Sequence, residues 1–401
     1  MSRALTWSTL GGALAKGLFF SVSALFFTRV IGLSATTVGL GLTIAGAVGV
    51  AASFAAGYLA DRIGAAPVLV VATLGQGAAL LAYLAAGNAV TFAGIACVAV
   101  GLQAAQRTAQ STLLARHFTG PDRVAVRARL RVITNVFIGI GTAGAALALL
   151  VDTATAYRVA MLGIGLLVLL SGIPLRGLRR AGPTVTRVTE RGRSPLTDRR
   201  YLAVTALYTV LCMQFGLLTI GLPLWVTGRT HAPAVTVAVL IALNTVLVAL
   251  FQVPASRGTH EVPLAGRAVF RASAALAVAC GLYAAAVIGS PVVAVALLVV
   301  GGLAHAAGEV LCEAGSWGLA FELADPASAG AYQGVSTTGA ALGNMLAPLV
   351  VTATAIDHGT VGWTVLAALF LGAGAGTLAI AKGMFRPAPA LPERPELEMR
   401  H

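Results

Sequence analysis

Apolar runs long enough to cross a bilayer, about 20 residues each, divide the chain into twelve segments. They centre near Phe20, Gly49, Leu80, Val100, Gly141, Leu166, Met213, Leu243, Ala279, Val300, Gly343 and Leu371. Polar residues collect in the short connections between them. One connection is longer than the rest, RGLRRAGPTVTRVTERGRSPLTDRR from Arg176 to Arg200, with eight arginines against Glu190 and Asp198. The pattern predicts an all-α membrane protein of twelve transmembrane helices in two pseudo-symmetric six-helix bundles. Residues 1–178 form the first bundle, 179–199 a basic linker, 200–386 the second bundle and 387–401 a tail. The first run reaches about Leu33 behind a single arginine, too long for the apolar core of a signal peptide, and reads as a retained first span.

Composition supports lipid as the solvent. The 401 residues are 58% hydrophobic and 10% charged, where a soluble domain carries roughly 25% charged residues. The excess of 27 Lys and Arg over 14 Asp and Glu does not point to nucleic acid, because the arginines sit in short loops between apolar runs. With the N-terminus inside, 22 basic residues fall on the cytoplasmic side and 3 on the other. Positive charge marks the cytoplasmic face, so both termini are expected in the cytoplasm, with the protein in the cell membrane. Cys97, Cys212, Cys280 and Cys312 all lie in apolar runs and form neither a metal-ligand spacing nor a disulfide framework. No cofactor or metal is expected.

Two basic residues, Lys16 and Arg107, remain inside the membrane, and the tenth run brings acids to meet them. It contains LAHAAGEVLCEAGSW, Leu303–Trp317, with His305, Glu309 and Glu313 at i, i+4 and i+8. That spacing puts all three on one helix face, which in lipid should turn to the protein interior. His305 falls near mid-membrane and the acids successively nearer the cytoplasm. Two cations against two anions predict a basic wall, Lys16 and Arg107, facing an acidic wall, Glu309 and Glu313. Burial favours the neutral form of a carboxylate and a facing cation its charged form. A carboxylate whose partner comes and goes with conformation is what proton coupling needs. Glu309, the deepest acid, is the leading proton or substrate group. His305 reads either as its relay or as a structural imidazole, Glu313 as a second site or a cytoplasmic rim, and Lys16 as functional or merely neutralising. Gln103, Gln106, Gln110, Gln214, Asn244 and Asn344 are candidates for cavity polar groups or helix–helix hydrogen bonds. Phe20, Tyr208, Phe215 and Trp317 could wall a greasy pocket. Gly49, Ser53 and Gly57, and Gly339 with Gly343, form small-residue ladders of the kind that lets helices pack closely.

The loop after the second run, GYLADRIGAAPVLV from Gly57 to Val70, resembles the signature loop of the major facilitator superfamily. Gly57, Leu59, Asp61, Arg62 and Gly64 match it, while Ala65 and Ala66 replace its usual basic pair. Asp61 is placed to meet an arginine or the positive start of another helix, and Gly64 permits a tight turn. RTAQS, Arg107–Ser111, resembles the R-x-x-Q-G of proton-coupled members. NVFIGIGTAG in the fifth run partly resembles the antiporter signature, with Gly139 and Gly144 in place and its proline absent. The seventh and eighth runs are similar to the drug:proton antiporter branch. Residues around Pro121 and Pro326 also align without gaps, as duplicated halves would.

The resemblance implies a monomeric transporter that works by alternating access, with helices 1, 4, 7 and 10 lining a cavity and the Gly57–Gly64 loop acting as a gate. Its partners would be a small-molecule substrate, protons and the bilayer. Proton-coupled efflux of amphipathic molecules is the leading expectation, and transport of a polar solute such as a sugar or amino acid the alternative. An enzyme is not expected, since no H-E-x-x-H motif or supported nucleophile elbow is present. The chain also carries no phosphate-binding loop for an ATPase.

Overall fold

The computed structural model describes residues 2–180 and 192–384. Most of the basic linker (181–191) and the whole tail (387–401) lie outside the described residues. Among the described residues, twelve helices are long and apolar enough to span a membrane. They are α1 Arg3–Val30, α2 Ala35–Ile63, α3 Ala65–Ala85, α4 Ala89–His117, α5 Gly120–Val151, α6 Ala154–Leu178, α7 Arg199–Arg229, α8 Val235–Ala255, α9 Val262–Ala285, α10 Pro291–Glu322, α11 Pro326–Ile356 and α12 Gly359–Gly383. Each predicted centre falls in a different helix.

Local chemistry sets the helix ends. Ser34 caps α2 by accepting from the Thr37 amide, Asn88 and Thr91 make a reciprocal capping box on α4, and Ser290 caps α10 ahead of Pro291. Gly64 turns α2 into α3 at φ +94°, a conformation open to glycine and costly for other residues. Asp152 closes α5 and receives hydrogen bonds from Tyr157 and from Arg29, the latter at 2.5 Å. Those two donors hold its carboxyl below the usual carboxylate range.

The apolar core is split. One cluster, which includes Leu211, Trp225, Leu276, Tyr283 and Trp363, lies wholly within α7–α12. Another, which includes Val22, Phe27, Tyr83, Phe92 and Tyr157, lies wholly within α1–α6. A third cluster crosses between the halves, bringing Trp317 and Phe321 of α10 against α4 and α5. It lies at the end that carries the arginine-rich connections, called the basic end below.

The small-residue ladders pack, but not all on one partner. Gly49 faces Val100 of α4, Gly339 and Gly343 face α7, and Gly57 meets α11. At the α2–α11 crossing, a Cβ on Gly334 would sit 3.1 Å from both the Gly57 Cα and the Phe54 carbonyl. Only backbone fits there, so the halves touch at the closest distance helices allow.

Candidate substrate and proton pathway

Two arginine-bearing turns of α5 and two acidic turns of α10 form the centre of the site. Arg123, Arg127 and Arg131 recur every four residues on α5, as His305, Glu309 and Glu313 do on α10. Equal spacing keeps each set on one face, and the helices run antiparallel. Arg123 reaches the Phe321 carbonyl and Glu322, both at 3.3 Å. Arg127 stacks over Trp317, 5.1 Å from the ring centre, and bonds the Ser111 hydroxyl at 2.6 Å. Arg131 spans both acids: Nη1 donates to Glu313 at 2.6 Å and Nη2 makes a short bond to Glu309.

Both carboxylates are buried and each has a second donor. Asn244 of α8 donates to Glu309 at 3.0 Å, and Tyr208 of α7 donates to Glu313 at 2.9 Å. Phe215 and Trp317 cover the Arg131 guanidinium at 5.6 and 5.7 Å. One cation from the first half is thus held by acids, an amide and a phenol of the second.

This corrects the predicted pairing. Charge balance predicts Lys16 and Arg107 facing Glu309 and Glu313; the acids instead take Arg131, at the edge of an arginine-rich connection in the sequence. The helix begins at Gly120, so Arg131 lies three turns in. Glu313 is no rim residue: it is buried and paired. Lys16 makes no ion pair among the described residues. Its ammonium lies 5.3 Å from the Phe20 ring centre, with Arg107 near enough to act on it electrostatically. Arg107 is exposed on its helix and likewise has no carboxylate partner.

The remaining candidates divide. Gln106 donates to Thr73 of α3 at 3.0 Å, and Gln110 to Thr9 of α1 at 3.3 Å, so both tie helices together. Asn344 bonds back to the Ala340 carbonyl of its own helix. Gln103 is half-buried. Gln214 is fully buried with both amide atoms unpartnered, at a point where α7 is interrupted by a turn at Met213 and a π-helical turn over Leu217–Gly221. Such interruptions free backbone groups and mark functional positions in membrane helices. His305 Nδ1 lies 3.4 Å from the Tyr283 hydroxyl, and its Nε2 is unpartnered.

The signature loop forms a second contact between the halves. Asp61 accepts from Arg116 at 2.6 Å and from the Gly330 and Ala331 amides at 2.7 Å each. Those amides belong to the first turns of α11, so the carboxylate sits on the positive helix end as well as on an arginine. Arg62 is exposed beside an apolar groove between α2 and α4 and makes no ion pair among the described residues. Thr108 adds a 2.7 Å bond to Thr337. Among the described residues, every hydrogen bond and ion pair between the halves lies from mid-membrane to the basic end.

Twelve membrane helices in two halves, joined by polar contacts on one side of a charged centre, define the architecture of a secondary transporter. The sequence matches the Major Facilitator Superfamily over residues 5–348, and the chain belongs to that superfamily, whose members are transporters rather than enzymes. Solved structures agree on the fold. A bacterial homologue of the iron transporter ferroportin, in an outward-facing state, is 14% identical with a TM-score of 0.71, covering 95% of this chain and 98% of its own. The human organic anion transporter MFSD10 (TETRAN) is 15% identical with a TM-score of 0.67, covering 94% and 98%. The proton:xylose symporter XylE is 14% identical with a TM-score of 0.67, covering 96% and 99%. No curated protein sequence matches the chain.

Proposed function

We propose that the protein is a proton-coupled exporter of amphipathic small molecules in the cell membrane, working as a monomer with its basic end in the cytoplasm. The observation that carries this reading is Arg131 of the first half held by Glu309 and Glu313 of the second. Ionised, the two acids keep the halves together at the cytoplasmic end. Arg127 and Arg131 balance Glu309 and Glu313 two against two; protonation of Glu309 removes the charge that holds Nη2 and leaves one buried positive charge uncompensated, a costly arrangement. The cluster then favours separation, which lets water reach the arginine, and the cytoplasmic end opens. The proton leaves Glu309 on that side, the cluster re-forms and the cycle resets. The proton thereby acts on one two-state equilibrium of the two halves, as coupling requires. His305, one turn from Glu309 with a free Nε2, is placed to pass the proton between Glu309 and the opposite side. Asp61 on the start of α11 holds the same end shut and breaks with it.

The resemblance of the seventh and eighth runs to the antiporter branch supports export, and the aromatic rings around the charges support an amphipathic substrate. The solved relatives are a homologue of an iron transporter, an organic anion transporter and a proton:xylose symporter, so the fold alone selects no substrate. The test is transport in proteoliposomes under an imposed pH gradient. Glu309→Gln is expected to abolish the response to the gradient while the purified protein remains folded, with its helical circular-dichroism signal unchanged. Full pH-driven transport by that variant would overturn the proposal.

A further inference from the structure

The pairing of Arg131 leaves Lys16 and Arg107 without counter-ions. Both acids at mid-membrane are taken, and Asp61 is taken by Arg116 and α11. Among the described residues, no carboxylate lies within ion-pair distance of either cation. Two like charges close together inside a membrane protein are unfavourable, and a protein keeps them there for a use.

Their placement is fixed by neighbouring contacts. The Gln110–Thr9 bond sets the register of α4 against α1. The helices are antiparallel, so seven residues outward from that bond bring Lys16 on α1 level with Gln103 on α4, about 10.5 Å along the axes. Arg107 lies between, one turn from Gln110. Thr9, Lys16 and Phe20 share one face of α1, the face turned to α4, while Gly17 packs on α5 and Gly11 on α6. On α4, Gln106 turns to α3 and Thr108 to α2 and α11. Arg107 points between those directions, to the inside of the molecule, and yet it is exposed. Phe20 is exposed as well. With the basic end closed by the contacts above, a ligand would reach these groups from the opposite end.

We propose that Lys16 and Arg107 form the seat for the acidic group of the substrate, which is an amphipathic organic anion bearing a carboxylate, sulfonate or phosphate. Two neighbouring cations with no acid beside them attract anions. The Arg107 guanidinium presents a planar fork to an oxyanion and the Lys16 ammonium a point charge. Phe20, already under the Lys16 ammonium, offers an apolar surface to the rest of the ligand, and Gln103 a neutral donor at the same height. The division of labour is then spatial: the α5–α10 cluster handles the proton and the α1–α4 pair handles the substrate. This assignment rests on the transport reading above for the fact of transport, and deepens it by naming the substrate class.

The test uses the purified full-length protein in phosphatidylcholine vesicles, with radiolabelled taurocholate as the anionic probe and tetraphenylphosphonium as the cationic one. Equilibrium binding is measured at fixed pH, and transport separately under an imposed pH gradient. Wild type is expected to bind taurocholate saturably and in preference to tetraphenylphosphonium. Lys16→Gln and Arg107→Gln should each weaken that binding about tenfold or more, the size of a lost charge-assisted contact. Lys16→Arg and Arg107→Lys should retain most of it, which separates loss of charge from loss of fold. Preference for the cation, absence of saturable taurocholate binding, or equal binding by the Gln variants would overturn the proposal. Charge-dependent taurocholate binding with transport indifferent to the pH gradient would instead uphold the anion seat and overturn the proton-coupling reading alone.

Discussion

The molecule holds two sets of intramembrane charge at similar depth, and they are treated in opposite ways. On the α5–α10 side, Arg131 meets two carboxylates, an asparagine and a tyrosine sit on those acids, and aromatic rings cover the guanidinium. On the α1–α4 side, Lys16 and Arg107 have no acid among the described residues; Lys16 is half-buried against the Phe20 ring and Arg107 is exposed. The first set joins the two halves; the second lies entirely within one. Charges satisfied by the protein across an interface hold a conformation, since separating them in a dry site is costly. Charges that the protein leaves unsatisfied hold nothing together, and they are available to a ligand.

The comparison can be broken most forcefully at Arg131. Arg131→Gln strands two carboxylates in the interior, and removal of one partner from a buried ion pair costs about 3–5 kcal/mol. The variant is expected to show a lower Tm and no transport, and Glu309→Gln added to it should recover part of the Tm. An unchanged Tm for Arg131→Gln would mean that the cluster does not hold the halves together. The opposite set predicts the opposite sign. Lys16→Met removes an unpaired cation and should leave Tm unchanged or slightly higher. The gain should stay below the roughly 2.5–3.5 kcal/mol that a lysine costs at a membrane helix centre, because the Phe20 ring offsets part of that cost. A Tm loss like that of Arg131→Gln would show that Lys16 has a structural partner after all.

Hydropathy alone carried the twelve helices, because a bilayer demands long apolar runs and punishes exceptions. The signature loop located Asp61, and both alternatives for its partner, an arginine and a helix start, are realised at once. The i, i+4, i+8 spacing placed His305, Glu309 and Glu313 on one buried face. The partner of that face was misassigned for a definable reason. Arg123, Arg127 and Arg131 follow a polar connection and read as loop charges by composition, although they carry the same four-residue period as the acids. Periodicity extending from a polar connection into an apolar run was the available signal. Pairing across halves is a different matter, for no spacing within one helix says which distant helix it meets. The interruption of α7 beside Gln214 also left no trace in hydropathy, since π-helical turns keep the apolar composition of the run.

The central claim is that ionised Glu309 and Glu313 keep the basic end closed through Arg131 and that protonation releases it. Its most direct test is a distance measurement across that end. Nitroxide labels at Asp122→Cys and Arg257→Cys, exposed positions on opposite halves, would be introduced into a chain whose four native cysteines are replaced, and read by pulsed electron–electron resonance. Wild type is expected to give a short, narrow distance at alkaline pH and a longer, broader one at acid pH. Glu309→Gln, with the charge removed permanently, should give the long distance at both. A short distance in the variant at every pH, or a wild-type distance that ignores pH, would contradict the account.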